Sequence, residues 1–352
     1  MTDRPPRILF LSMYPLDEVR SGPTVRVRRL LEELRRRAEV EIVAGYRPAR
    51  RAALARYAAS GRLRHIDGIY VESSTALPGE TDIAFLGLVR ALGRPVLTYI
   101  RDAYQLFSDY YPVDSPKRWL SAKAFPIAMQ ALRAVSTRLA FPSRGLAEAV
   151  LGERAGDALL LPPGAPEPIT VSRRDDASSL LLVGDMRAPV QGAATLLTAV
   201  GLARASGANV DLLCVTRPGG EPPGRHPEWL RVERASSLEI PALLPGVLAT
   251  VIARAPGAYN DLALPIKLME YLAYGRPLVV TDRRETAALV RAAGCGLVVA
   301  DGPEAMAAGI AALASASPER LDAWSAAAHD AARHHSWQIR AEQILLELVP
   351  ER

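Results

Sequence analysis

Asn260-Asp-Leu-Ala-Leu-Pro-Ile-Lys-Leu-Met-Glu-Tyr-Leu-Ala-Tyr-Gly-Arg-Pro277 reads as a short helix running into a buried strand, Pro277-Leu-Val-Val-Thr281. Pro265 suits the first helical position, where its missing N–H costs nothing, and Gly275 suits the residue past the end. The spacing therefore predicts a helix over Pro265–Tyr274. Lys267 falls in its first turn, and only Lys117 and Lys123 are lysines besides it among 43 basic residues. A cation there opposes the positive end of the helix dipole, at a cost of a few tenths of a kcal/mol, roughly. An anion at the helix start reverses that sign, because free N–H groups and the ammonium both point at it. Glu270 lies one turn on, on nearly the same face, so the pair could hold a phosphate and a sugar hydroxyl. A surface Lys–Glu pair fits the same spacing.

Outward from this stretch the chain alternates short apolar runs with helical patterns. Arg7–Ser12, Val40–Ala44, Gly68–Glu72, Pro95–Ile100, Leu139–Ser143 and Ala158–Pro162 read as strands of one half, with helices such as Thr24–Arg37 and Thr81–Leu92 between them. Pro162-Pro-Gly-Ala-Pro-Glu-Pro168 and the polar Ser172–Ser179 read as a linker. The alternation restarts with Leu180–Gly184, Val210–Val215, Leu230–Glu233, Ala249–Ala253, Pro277–Thr281 and Gly296–Ala300, and Trp337–Val349 is an amphipathic tail helix. Short apolar strands between helices mean parallel sheets covered on both faces. The expected class is α/β: a first doubly wound domain over 1–162, a linker over 163–178, a second domain over 179–335 and a terminal helix over 336–352. Two such domains are expected to face a cleft at the carboxyl ends of their strands.

Composition narrows the function. A chain of 352 residues with 49% hydrophobic content suits two soluble domains. No apolar run is long enough to span a bilayer and no export signal precedes the first strand, which predicts the cytoplasm. The net charge of +5 is spread along the chain, so nucleic acid is not expected as a partner. The concentration of arginine from Arg20 to Arg64 is compatible with peripheral contact to anionic lipid at the inner membrane face, or with a solvated helix face. Cys214 and Cys295 read as buried thiols. There is no Gly-x-Gly-x-x-Gly after the first strand, no phosphate-loop motif and no Gly-x-Ser-x-Gly. His334-His335 lacks metal-ligand spacing, and neither metal nor cofactor is expected.

Pro265-Ile-Lys-Leu-Met-Glu-Tyr-Leu-Ala-Tyr-Gly-Arg-Pro-Leu-Val-Val-Thr-Asp282, with Glu285, Val290 and Ala293-Gly-Cys-Gly-Leu-Val298, resembles the donor-binding segment of GT-B glycosyltransferases of family 4. Leu161-Pro-Pro-Gly-Ala165, Leu182-Val-Gly184 and Ser336-Trp337 resemble that family's inter-domain strand end, first C-domain strand and opening of the last helices. The resemblance implies two Rossmann-like domains, a terminal helix returning to the first, and retaining transfer from a nucleotide-diphosphate sugar to a glycan, lipid-linked or small-molecule hydroxyl. It implies Glu270 on the donor ribose, the Leu268 and Met269 amides on the diphosphate, Gly184 close to phosphate, and Arg234 and Ala235 near the base. Ser21 and Gly22 match the loop over diphosphate and acceptor, and Arg101 and Asp102 fall near the transferred sugar.

The family usually places an arginine and a lysine where Asp185 and Gln191 stand here, with Gly192 retained; Arg187 and Lys267 are the expected substitutes. A second family glutamate is replaced by Leu262, beside Asp261, so Asp102 and Asp261 are the candidates for positioning sugar or acceptor. The two lost cations keep open an alternative, a scaffold that binds a sugar nucleotide or glycan without transfer. A sugar-nucleotide epimerase shares the fold and is a third.

Overall fold

The computed structural model describes residues 4–16, 22–222 and 226–349. The chain forms two compact units, one of residues 1–164 with 337–352 and the other of 165–336.

In the first unit six parallel strands, β1 (Arg7–Ser12), β2 (Glu39–Ala44), β3 (Gly68–Glu72), β4 (Val96–Tyr99), β5 (Arg138–Phe141) and β6 (Leu159–Leu160), lie in the order β2-β1-β3-β4-β5-β6. β3 pairs with β1 from Ile8↔Gly68 to Ser12↔Glu72 and is buried along its whole length. That explains its lack of polar alternation: both faces are covered by helices. The helix expected over Thr24–Arg37 runs Gly22–Arg35, and the one expected over Thr81–Leu92 runs Glu80–Ala91. Gly79 precedes the latter, its N–H donating to Asp82 Oδ2 at 2.7 Å.

The tail forms the helix Trp337–Leu348, part of the first unit. Trp337, Ala341, Ile344 and Leu348 recur at helical spacing and join the core of Ile8, Phe10, Leu30 and Leu34. Two glycines permit the approach. A Cβ at Gly164 would fall 2.4 Å from the Trp337 ring, and one at Gly68 would meet Leu348 at 3.1 Å.

In the second unit β7 (Ser179–Val183), β8 (Asp211–Val215), β9 (Leu230–Glu233), β10 (Val247–Ile252), β11 (Leu278–Thr281) and β12 (Gly296–Val299) form a parallel sheet ordered β12-β11-β10-β7-β8-β9. The expected α/β class with two doubly wound domains is what the chain adopts. The stretch 163–178, expected as a linker, divides at Gly164/Ala165. Beyond that point it is a strap on the second unit, because Ile169 and Val171 pack against its core and the Val171 carbonyl accepts from Arg276 Nη2 at 3.0 Å.

Candidate functional site

The order of the second sheet reverses between β7 and β10. Neighbouring strands whose connections leave in opposite directions open a crevice at their carboxyl ends, the usual ligand position in such folds. Three segments meet there. The first begins at Gly184, which has φ +143° and donates its N–H to the Val215 carbonyl at 2.9 Å. A Cβ at 184 would lie 3.2 Å from Lys267 Nζ and 3.7 Å from the Gln191 amide carbon, so these three residues converge.

The second segment is the helix Ile266–Tyr274, with Pro265 as its N-cap rather than its first residue and Gly275 at the left-handed C-cap. Leu268, Met269, Tyr271 and Leu272 are buried in the core, and the Val183 N–H donates to the Tyr271 hydroxyl at 2.7 Å. The helix start is thereby fixed against the end of β7. The Leu268 N–H donates to the Pro265 carbonyl at 3.0 Å, so that expected phosphate donor is already engaged. The amides of Ile266 and Lys267 precede any intrahelical carbonyl and are the available ones. Lys267 Nζ donates to Gln191 Oε1 at 2.5 Å, and Glu270 follows, half-buried, one turn on.

The third segment leaves β10 through Ala253 and Arg254. Arg254 Nη1 donates to Asn260 Oδ1 at 3.1 Å, and Asn260 Nδ2 donates to the Ala255 carbonyl at 2.8 Å. This loop lies directly on the Gln191 loop, since the Ala255 N–H reaches the Val190 carbonyl at 3.3 Å. Burial and the Arg254 charge push the Lys267 ammonium down to about 7, opposed in part by Glu270. Two cations thus share a partly buried crevice at a helix N-terminus, both donating to side-chain amide oxygens. An anion there would relieve their repulsion and satisfy the dipole.

Other expected residues sit differently. Arg187 is exposed and turns to the Glu221 carbonyl at 3.0 Å, its N–H on Asp185 Oδ1 at 2.8 Å. Arg234 grips the Glu221 carboxylate at 2.9 and 3.1 Å, and Ala235 packs against the core. The charge beside Lys267 is therefore that of Arg254. Asp261 Oδ1 accepts from Arg283 at 3.1 Å, and Arg283 also pairs with Asp301. Sequence reasoning missed Arg254. Its one signal is its place directly after the apolar run Val247–Ala253, and in an arginine-rich chain the residue type adds nothing.

In the first unit the reversal lies between β1 and β3, and a polar cluster occupies it. Buried Glu72 accepts from Tyr70 Oη at 2.7 Å, Arg26 Nε at 3.3 Å and Tyr14 Oη at 3.4 Å. Burial and the Glu72 charge raise the Tyr14 phenol well above its usual range. Arg101 donates to Asp102 Oδ2 and Thr75 Oγ1, each at 2.9 Å. Asp102 is buried and orients Arg101, which is the more exposed of the two. Gly22 opens the helix Gly22–Arg35, while Ser21 lies outside the described residues. Cys214 and Cys295 are free, buried thiols, each pushed up to about 12 by burial.

Residues 177–316 match the family model described as "Glycosyl transferases group 1". Among solved structures, Anabaena Alr3699/HepE in complex with UDP and glucose aligns at a TM-score of 0.62 and 14% identity, covering 98% of this chain and 99% of that one. Sucrose-phosphate synthase from Thermosynechococcus elongatus aligns at 0.65 and 14%, covering 97% of each. A glycosyltransferase from Rickettsia africae aligns at 0.65 and 13%, covering 99% and 100%. No curated protein matches the sequence. The architecture is the GT-B glycosyltransferase fold. The stretch that matches the group 1 model lies within its second unit.

Proposed function

We propose that this chain is a retaining hexosyltransferase that moves a sugar from a nucleotide-diphosphate donor to a hydroxyl of a glycan, lipid-linked glycan or small-molecule acceptor. The observation that carries the reading is the convergence of Lys267, Arg254 and the helix start at Gly184. The chemical difficulty is negative charge building on the departing diphosphate. Donors fixed in a partly buried crevice stabilise it without reorganising, and the reading needs no metal. Glu270 holds the ribose hydroxyls, and Arg234 with Ala235 borders the base. Gly22, Arg101 and Asp102 serve the sugar and acceptor side. The acceptor attacks from the face the leaving group occupies, its proton passing to a phosphate oxygen, so no protein nucleophile takes part. The solved structure of Anabaena HepE with UDP-glucose favours the uridine series as donor. Assembly of a polysaccharide on the cytoplasmic side of a membrane is the setting this chemistry fits.

Asp185 and Gln191, standing where the family usually has cations, favour as the second reading a scaffold that binds the sugar nucleotide without transfer. A thermal-shift screen against UDP, GDP, TDP, ADP and their sugar conjugates tests the site. One nucleotide series should stabilise the protein by about 2.7 kcal/mol at a hundredfold excess over Kd, and Glu270→Ala should abolish the shift. No shift with any nucleotide removes both readings; a shift with no turnover on any acceptor or water leaves only the second.

A further inference from the structure

We propose that the outer edge of β2, in the first unit, pairs with the same edge of a second copy of this chain, joining two sheets into one. β2 ends its sheet and holds six residues, Glu39–Ala44, whereas the other three edge strands, β6, β9 and β12, hold two, four and four. The Glu39 N–H donates to the Pro6 carbonyl at 2.7 Å, and the register with β1 runs from Arg7↔Glu39 to Ser12↔Ala44 without a bulge. Successive residues of a strand bond to opposite sides. Glu39, Glu41 and Val43 therefore serve β1, and the N–H and C=O groups of Val40, Ile42 and Ala44 face outward. Native edges are commonly blunted by a proline, a lysine, a bulge or brevity, and β2 has none of these. Its two carboxylates are drawn into ion pairs, Glu39 with Arg7 at 2.7 Å and Glu41 with Arg62 at 3.1 Å. A groove of about 940 Å³ runs between β2 and the helix Gly22–Arg35, walled by Leu31, Ile42 and Tyr46. Ile42 and Tyr46 are 36% and 59% exposed beside the open edge.

The edge names its occupant because it fits itself. A two-fold axis normal to the sheet at Ile42 lays two copies of β2 antiparallel, with Val40 opposite the partner's Ala44 and Ile42 opposite the partner's Ile42. Every outward N–H and C=O of both strands is then paired. Such an axis keeps each face of the joined sheet on one side. The side chains of Val40, Ile42 and Ala44, alike in facing by strand alternation, therefore meet their own kind. Glu41 falls opposite the partner's Val43 and Glu39 opposite the partner's Gly45, so no two carboxylates stand directly across from each other. An axis at Glu41 would set two carboxylates face to face, which is destabilising. An axis at Val43 would put Val40 opposite the partner's Tyr46, whose carbonyl already accepts from the Arg50 N–H at 3.0 Å. A foreign strand would have to supply this length, alternation and charge spacing; a second copy has all three. The proposal stands apart from the transferase reading, because no residue of the nucleotide crevice enters it.

Sedimentation equilibrium of the intact chain tests it, and a dimer is expected at micromolar concentration. Ile42→Lys opposes two ammonium groups across the axis, and Ile42→Pro deletes an outward N–H that β1 does not use. Each should raise the dimer dissociation constant by about tenfold or more. Both should keep the parent's far-UV circular dichroism, because proline is tolerated where a strand's N–H faces away from the ladder. Ile42→Cys reads the register. The two Cα atoms would lie about 5.5 Å apart, within disulfide reach, so diamide should link the dimer covalently. Glu39→Cys, six residues out of register with its mate and so about 20 Å from it, should not link. The native thiols, Cys214 and Cys295, are buried. A parent that stays monomeric at high micromolar concentration overturns the proposal and leaves the edge to a foreign strand. So does a dimer that both Ile42→Lys and Ile42→Pro leave intact. A dimer lost in Ile42→Lys but kept in Ile42→Pro, with no link in Ile42→Cys, would join through the groove rather than by strand pairing and also overturn it.

Discussion

Lys267→Ala is expected to lower glycosyl transfer by about 100-fold, the usual consequence of deleting one preorganised donor to a developing anion. The variant should be no less stable than the parent when nucleotide is absent. Lys267 is held partly buried beside the Arg254 charge, with a neutral amide as its hydrogen-bond partner, so its cation is disfavoured in the folded state. The folded value near 7 lies below that of lysine in an unfolded chain. Between the two the unfolded chain binds more protons, so this group destabilises the empty protein fully below pH 7 and progressively less as pH rises. The stability gained in Lys267→Met should therefore be largest near pH 6 and shrink toward high pH. A bound diphosphate favours the cation, so nucleotide binding above pH 7 should take up a proton and weaken from pH 7 to 9. Calorimetry in two buffers of different ionisation enthalpy reads that uptake directly. Its absence in the parent, or its persistence in Lys267→Met, would remove Lys267 from the anion site.

Gly192→Ala should damage folding and binding together. Gly192 has φ +63°, and a Cβ there would fall 1.6 Å from the Ala253 carbonyl oxygen, a contact that only backbone movement relieves. The loss should be about 3–5 kcal/mol, the range reserved for severe strain or clash. That corresponds to a fall of roughly 10 °C in melting temperature for a unit of this size. Because the displaced backbone carries Gln191 on one side and Arg254 on the other, the nucleotide shift should shrink as well. Gly207→Ala is the control. Its φ is +94° with nothing within 4 Å, so it should cost only about 1–2 kcal/mol of backbone strain and spare binding. Equal effects of the two substitutions would show that the contact between the two loops does not matter.

The strands were legible because parallel strands covered on both faces are written as uninterrupted apolar runs. Ile8–Leu11 and Val247–Ile252 are buried throughout and could be little else. Boundaries drifted where side chains rather than periodicity decide them. Ala158–Pro162 shrinks to Leu159–Leu160 because only Leu159 and Leu160 pair with β5. Within the site, Gly184 and Lys267 were readable from motif and capping logic, and the structure brings them into contact. The partners of Lys267 were not readable. Gln191 and Arg254 are 76 and 13 residues away, respectively, and meet it through strand order, which no local pattern encodes. Arg187 looked the natural substitute by position, yet its guanidinium turns to the Glu221 carbonyl.

The chain enters the second unit at Ala165 and leaves it at Ser336, while the first unit owns segments on both sides. Genetically, then, the second unit is an insertion in the first. Ribosomal synthesis emits 165–336 whole, and that unit can close as soon as it emerges. The first unit, begun earlier, must wait with Gly164 and the outer flank of β3 bare until Trp337–Leu348 arrives to cover them. The half that starts first is finished last, and a ribosome that stops short of Trp337 releases a complete second unit attached to an unfinished first.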